Sequence, residues 1–287
     1  MSGAEPLRVA VTGAGGRMGR EVLTLASTRD DLAVAVAVNR SPVTDVSGVS
    51  VRTVDGETDL AELLSTTEPD VLVDFTAPEV TAEYVAACSR TGVPAVVGTT
   101  GFDDGHRRAI ERASESVPVL VAANFSRGVL ALRRAIREAV RALPTYDVEL
   151  TETHHNGKRD APSGTAGRIL EDVEGVLGDD GGDGPDHPRV HGREGDQPRE
   201  PGEIGVHARR AGDVTGEHEL LLAGNRETLE LTHRAGDRGV FAAGALDAAA
   251  WLAGRDPGLY EFADAVDGEA TRGEDDSTEN DRREEVE

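Results

Sequence analysis

Lysine is almost absent from this chain: of 30 basic residues only Lys158 is lysine and the rest are arginine. Cysteine is equally scarce. A single Cys88 excludes an intramolecular disulfide and any multi-cysteine metal centre. It falls in the helical pattern AEYVAACSR, where a free thiol reads as a small core residue. Aromatic residues make up 3% of the chain, so its core must be built from Ala, Val and Leu. No apolar run approaches the roughly 18 residues that a membrane helix needs. The N-terminal MSGAEPLRVA lacks the charged and apolar regions of a signal peptide. A cytoplasmic location is the expectation.

What is abundant is negative charge. Fifty-four acids against 30 bases give a net charge of −24, which excludes nucleic acid and anionic membrane as partners. High acidity, little lysine and few large apolar side chains fit a protein adapted to concentrated salt. There the Debye length shrinks to about 3 Å at 1 M and self-repulsion is screened. A GC-rich genome also favours Arg over Lys, and both explanations stay open.

The 287 residues suffice for two domains, each with its own core. Short apolar runs at Leu7–Thr12, Leu32–Val38, Val71–Phe75, Ala95–Val97 and Val117–Val121 alternate with amphipathic stretches at Arg17–Ser27, Val80–Arg90 and Asp103–Ser116. Uniformly apolar strands alternating with helices mark a parallel sheet covered on both faces. The expectation is an α/β chain whose Rossmann-like, doubly wound nucleotide-binding domain spans residues 1–125 with 236–267. After Ser126 the pattern changes. Helices fit Gly128–Leu143 and Thr165–Leu177, and strands fit Tyr146–Thr153, Glu203–Arg210, Glu217–Ala223 and Thr228–Arg234. Consecutive strands without helices between them predict an antiparallel or mixed sheet. Residues 126–235 therefore read as a smaller, second α+β domain. An Ala-rich helix, Val240–Ala253, closes the fold. The Gly/Asp/Pro-rich segment Gly178–Pro188 reads as an exposed, mobile loop. Gly268–Glu287, with nine acids and three Arg, reads as a disordered acidic tail.

The first strand runs directly into Gly13-Ala14-Gly15-Gly16-Arg17-Met18-Gly19 and then into a helix. Glycines let the backbone approach a pyrophosphate, and the first-turn N–H groups of the helix bind its charge. The spacing is G-x-x-G-x-x-G, and a purely structural tight turn is the competing explanation. The second strand ends in Asn39-Arg40, where an acid often binds the ribose. A neutral residue beside a guanidinium suits a 2′-phosphate, so NADPH is favoured, with NADH as the second coenzyme; a merely solvated Arg40 is the alternative. Gly98-Thr99-Thr100 and Ala122-Ala123-Asn124-Phe125 follow two further strands, at the carboxyl ends where such sheets bind ligands.

Residues 152–166 read ETHHNGKRDAPSGTA. They hold two histidines, the solitary lysine, and a helix start with Ser163 as N-cap. The N–H groups of Gly164 and Thr165 there suit a carboxylate. A proton donor, two imidazoles and an anion site suit hydride reduction of an anionic C=N substrate, which also needs a proton. Metal ligation by His154 and His155 is the weaker alternative, because adjacent residues of an extended chain face opposite ways and no third ligand has zinc-like spacing. His187, His191, His207, His218 and His233 read as scattered surface or structural residues.

GAGGRMGR, VGTTG, AANFS and ETHHNGKRDAPSGTA, with GREG and PGEIGVHARRAGDVTGEHE further on, resemble the 4-hydroxy-tetrahydrodipicolinate reductase family from about residue 7 to 268. The resemblance implies a homotetramer of two-domain subunits acting on a small dicarboxylate in diaminopimelate and lysine biosynthesis, with 126–235 as the substrate and oligomerisation domain and the C-terminal helix returning to the nucleotide domain. It implies His154 as proton donor and acceptor, His155 as substrate ligand, Lys158 as proton donor and Gly164-Thr165 as carboxylate clamp. Its coenzyme positions match Gly13 to Met18, Gly98 to Thr100 and Ala122 to Phe125. Many members carry an acid where this chain has Asn39, which bears on the use of NADH. Two rival expectations are a related amino-acid or imine dehydrogenase and an NADP-binding redox sensor without turnover.

Overall fold

A computed structural model describes residues 5–54, 59–178 and 187–268. Most of the loop expected at 178–188, and all but the first residue of the tail expected at 268–287, lie outside those residues. In chain order the first elements are β1 (Leu7–Thr12), α1 (Arg17–Ala26), β2 (Leu32–Asn39), β3 (Asp45–Val46), β4 (Val49–Thr53), α2 (Leu60–Thr67) and β5 (Val71–Asp74). Then come α3 (Pro78–Thr91), β6 (Ala95–Val97), α4 (Asp104–Ser114), β7 (Pro118–Val121), α5 (Arg127–Ala142), β8 (Asp147–His154) and α6 (Gly164–Gly178). The chain closes with β9 (Arg189–His191), β10 (Ile204–Arg210), β11 (Gly216–Gly224), β12 (Glu227–Ala235), α7 (Gly239–Leu252) and β13 (Gly258–Tyr260). Two compact units result: one runs to Phe125 and resumes at Arg238, the other is Ser126–Asp237.

The first unit holds an eight-stranded sheet in the order β13-β7-β6-β5-β1-β2-β4-β3. All neighbours run parallel except the β3–β4 pair. Val9, Ala10, Val11, Val71, Leu72, Val73, Ala95, Val96 and Val97 are fully shielded from water. Strands buried on both faces explain why these runs are apolar rather than alternating. Cys88 is also fully buried, and burial pushes its thiol up, so it packs and does not react. Helix α7 is apolar around most of its surface and contacts α1, β5, β6 and β7. Its Gly244 lies so close to the Phe125 carbonyl that a Cβ there would overlap it.

Some short elements carried no usable sequence signal. The β3–β4 hairpin turns on Ser47 and Gly48, both with positive φ, as a two-residue hairpin of that twist requires. Helix α2 is only 8 residues long; the Asp59 side chain caps it and Glu68 closes it in the left-handed region.

In the second unit β8 is flanked by β10, parallel, and β11, antiparallel, in the sheet β12-β11-β8-β10-β9. Period-two alternation puts Val148, Leu150, Glu152 and His154 of β8 on one buried face. Register sets Ile204 and Leu222 beside Val148, and Val206 and Leu220 beside Leu150. These apolar rows share a core with Leu132, Ile136 and Val140 of α5 and with Ile169, Leu170 and Val173 of α6. The next rows bring Ala208 and His218 beside Glu152, and Arg210 beside His154. The core face therefore turns polar where β8 ends.

Candidate active site

The coenzyme candidates of the first unit lie at the carboxyl ends of β1, β2, β6 and β7, beside the point where the strand order reverses between β1 and β5. Gly13 has φ of 69° and packs under the Phe75 carbonyl, where a Cβ would stand 2.7 Å from that oxygen. The Ala14 N–H donates to the Val38 carbonyl at 3.0 Å, and the Gly16 N–H to the Gly13 carbonyl at 2.8 Å. The Gly15 N–H donates to Asn39 Oδ1 at 3.1 Å, while Asn39 Nδ2 donates to the Ser41 carbonyl at 2.8 Å. Asn39 thus fastens the glycine turn. No side chain caps α1, so the first-turn N–H groups at Arg17 and Met18 are left to a ligand or water. A Cβ at Gly19 would overlap the Gly13 backbone, which keeps helix and turn in close approach. The backbone and its donor set fit a dinucleotide pyrophosphate.

Arg40 pairs with Glu83 at 3.0 Å, and both side chains are more than half exposed. An exposed pair of this kind is worth about 0–1 kcal/mol, so the guanidinium remains available to a phosphate. The Gly98 N–H donates to the Asp74 carbonyl at 2.8 Å, Thr99 is buried, and Thr100 is exposed. The Ala122 N–H donates to the Val97 carbonyl at 3.0 Å, and Ala123 is exposed. Phe125 differs from the other candidates. The whole residue is 1% exposed, its ring wedged between Phe75 and Phe262 and its carbonyl packed against Gly244.

In the second unit β8 delivers Glu152 and His154 onto the buried face and ends there; His155 follows it and is partly exposed. His154 Nδ1 lies 2.5 Å from Glu152 Oε2. Arg210 grips the same carboxylate with both terminal nitrogens, Nη1 to Oε2 at 3.0 Å and Nη2 to Oε1 at 2.9 Å. The Ser163 N–H adds a fourth donor to Oε1 at 3.2 Å. Burial opposes ionisation of Glu152, but Arg210 and then His154 outweigh it and hold the carboxyl below its usual range. An ionised Glu152 places hydrogen on Nδ1 of His154, leaving Nε2 to accept or release the mobile proton.

The segment after β8 is fastened at several points. The Ala211 N–H donates to the His154 carbonyl, the Asn156 N–H to Gly212 and the Lys158 N–H to His155. Arg210 Nη2 also donates to the Asp160 carbonyl at 2.5 Å. Lys158 Nζ then meets Asp160 Oδ1 at 2.9 Å. Burial works against the Asp160 charge, but its hydrogen bond from Lys158 wins and lowers its pKa. Ser163 Oγ accepts the Ala166 N–H at 3.2 Å, which caps α6 as its position in the sequence predicts. Gly164 opens that helix with nothing within 4 Å of where a Cβ would stand, and its backbone hydrogen-bonds the Asp160 carboxylate.

Glu152, Arg210 and His218 are the groups that the sequence did not single out. For His218 the expectation of a scattered residue needs correction: it is 4% exposed, its ring centroid is 5.3 Å from that of His154, and Nε2 is 3.2 Å from Ser163 Oγ. Burial, aided by His154, pulls its pKa down to about 4, so it is neutral near pH 7. The β8 alternation was a usable signal for Glu152, since an acid two residues before His154 shares its face. Nothing local marks Arg210 or His218.

Two family models cover the chain: dihydrodipicolinate reductase, N-terminus, over residues 7–125, and dihydrodipicolinate reductase, C-terminus, over residues 128–266. A 4-hydroxy-tetrahydrodipicolinate reductase of Natronomonas pharaonis is 54% identical over 260 residues, covering 91% of this chain and 100% of that protein. The protein of that name from Haloarcula marismortui is 51% identical over 260 residues, covering 91% and 99%. Among solved structures, a dipicolinate-bound dihydrodipicolinate reductase from Paenisporosarcina sp. TG-14 matches with a TM-score of 0.70 at 26% identity, covering 89% of this chain and 97% of its own. Both halves of the sequence and the fold agree, and the chain belongs to the dihydrodipicolinate reductase family.

Proposed function

We propose that the chain reduces (2S,4S)-4-hydroxy-2,3,4,5-tetrahydrodipicolinate to tetrahydrodipicolinate, with loss of water, in diaminopimelate and lysine biosynthesis. The observation that carries this reading is the Glu152–His154–Arg210 cluster beside the lone Lys158 and the N-terminus of α6. Bound NAD(P)H supplies the hydride. Lys158 and His154 then deliver the proton that the reduced ring requires, a service typically worth about 10²–10⁴-fold in rate. Lys158 reaches the substrate by leaving Asp160, whose side chain is 52% exposed; such a pair holds it by about 1 kcal/mol or less. His155 contacts the substrate, and the N–H groups of Gly164 and Thr165 clamp a carboxylate at the positive end of α6.

NADPH is the preferred coenzyme in this reading, since Asn39 brings no negative charge and Arg40 is only weakly engaged; NADH serves second. The chain works as a cytoplasmic homotetramer on a small dicarboxylate, and its acidic surplus suits concentrated salt and repels nucleic acid and anionic membranes. No helix among the described residues is long and apolar enough to cross a membrane. The test is NADPH oxidation followed at 340 nm with the hydroxy-dicarboxylate generated in situ by a coupled synthase. Coenzyme binding without any substrate-dependent oxidation would leave only the redox-sensor reading.

A further inference from the structure

A buried carboxylate in the first unit takes no part in the chemistry above. Asp74 ends β5 with no exposed surface. Its Oδ1 accepts the hydroxyls of Thr12 at 2.6 Å and Thr76 at 2.8 Å. Its Oδ2 accepts those of Thr81 at 2.5 Å and Thr99 at 3.0 Å. Thr99 Oγ1 in turn accepts the Thr76 N–H at 3.0 Å and lies 2.9 Å from Thr81 Oγ1. A buried carboxylate is costly unless its lone pairs are filled, and here four threonines fill them.

Those threonines come from separate places. Thr12 is the last residue of β1 and precedes the Gly13 turn; Thr76 follows β5; Thr99 sits in the turn after β6; Thr81 stands in the first turn of α3. Backbone contacts repeat the pattern. The Gly98 N–H donates to the Asp74 carbonyl, a Cβ at Gly98 would overlap the Phe75 ring, and Gly13 packs on Phe75 and Thr76. The strands β6, β5 and β1 are neighbours in the sheet. One carboxylate therefore ties together the three loops at the carboxyl ends of adjacent strands.

We propose that Asp74 is a positioning residue for the coenzyme: its four-threonine hub sets the spacing of the 13–16, 75–77 and 98–100 loops that receive the dinucleotide. The inference rests on the coenzyme reading of those loops. Placing an amide at position 74 turns one acceptor into a donor, so two hydroxyls lose their partner and the loops lose their common anchor. Coenzyme binding weakens. The proton chemistry of the second unit is untouched.

The test is NADPH affinity by fluorescence titration of the full chain, with steady-state kinetics and melting temperature on the same samples. Asp74→Asn should raise the NADPH Kd about five- to tenfold, the loss of a charge-assisted contact, while kcat at saturating NADPH and KM for the dicarboxylate stay within about twofold. Thr81→Val, nearly isosteric, should raise the Kd about threefold and Thr81→Ser should restore it, one neutral hydrogen bond being at stake. Thr81 keeps the proposal decidable should Asp74→Asn not fold. A purely structural hub would lower the melting temperature and leave the Kd of the folded variants at the parental value, which would overturn the proposal. A parental protein that binds no pyridine nucleotide would instead sink the coenzyme reading, and this inference with it.

Discussion

Glu152 sets its Oε2 2.5 Å from His154 Nδ1, with both residues almost closed to solvent. Such a carboxylate fixes the imidazole's tautomer and orientation. Glu152→Gln keeps the shape but removes the charge that Arg210 and His154 share. The expected result is a fall in kcat of about 10²-fold or more. A parental kcat in the folded variant would mean that the pair only holds the fold.

Lys158 carries the second expectation. Lys158→Ala should lower turnover by about 10²–10⁴-fold while NADPH affinity stays near parental. Lys158→Arg should rescue poorly, because a guanidinium does not give up its proton. Near-parental kcat at saturating substrate in Lys158→Ala would make the lone lysine an accident of composition.

Stability should fall on mild acidification through His218. Its folded pKa of about 4 lies below the ordinary 6.5, so between those values the unfolded chain binds more protons than the native one. The contribution is fully present above pH 6.5 and is lost as pH falls toward 4, on the order of 2–3 kcal/mol in all. His233, whose pKa burial also lowers, adds in the same direction. Urea midpoints at pH 7, 6 and 5 read this directly. His218→Gln should show a shallower pH slope than the parent, and equal slopes would refute the assignment.

The proposed preference for NADPH is tested at Asn39 and Arg40. Arg40→Ala should cost NADPH affinity about tenfold or more and leave NADH affinity unchanged, since only NADPH carries the 2′-phosphate. Asn39→Glu should push the preference toward NADH by repulsion. Because Asn39 also accepts the Gly15 N–H, some loss with both coenzymes accompanies the switch. A parent that uses both equally well contradicts this reading.

Much of the fold was legible because its signals are local. The Leu7–Thr12 strand, the glycine turn and the α1 helix follow from residues adjacent in the chain. So do the Ser163 cap of α6 and the alternation that puts Glu152 and His154 on one face of β8. The β3–β4 hairpin was not legible, since a two-residue strand leaves too few positions to show a period.

The sequence by itself determined which chemistry is present: a turn shaped for a pyrophosphate, and a stretch holding the only lysine beside two histidines. Only the tertiary structure decided what those groups act through. Arg210 reaches Glu152 across 58 residues, and His218 reaches Ser163 across 55. The β8–β10 and β8–β11 registers create both contacts. Strand register is fixed by burial of the apolar rows Val148–Leu222 and Leu150–Leu220. No local pattern encodes a partner brought in by that pairing.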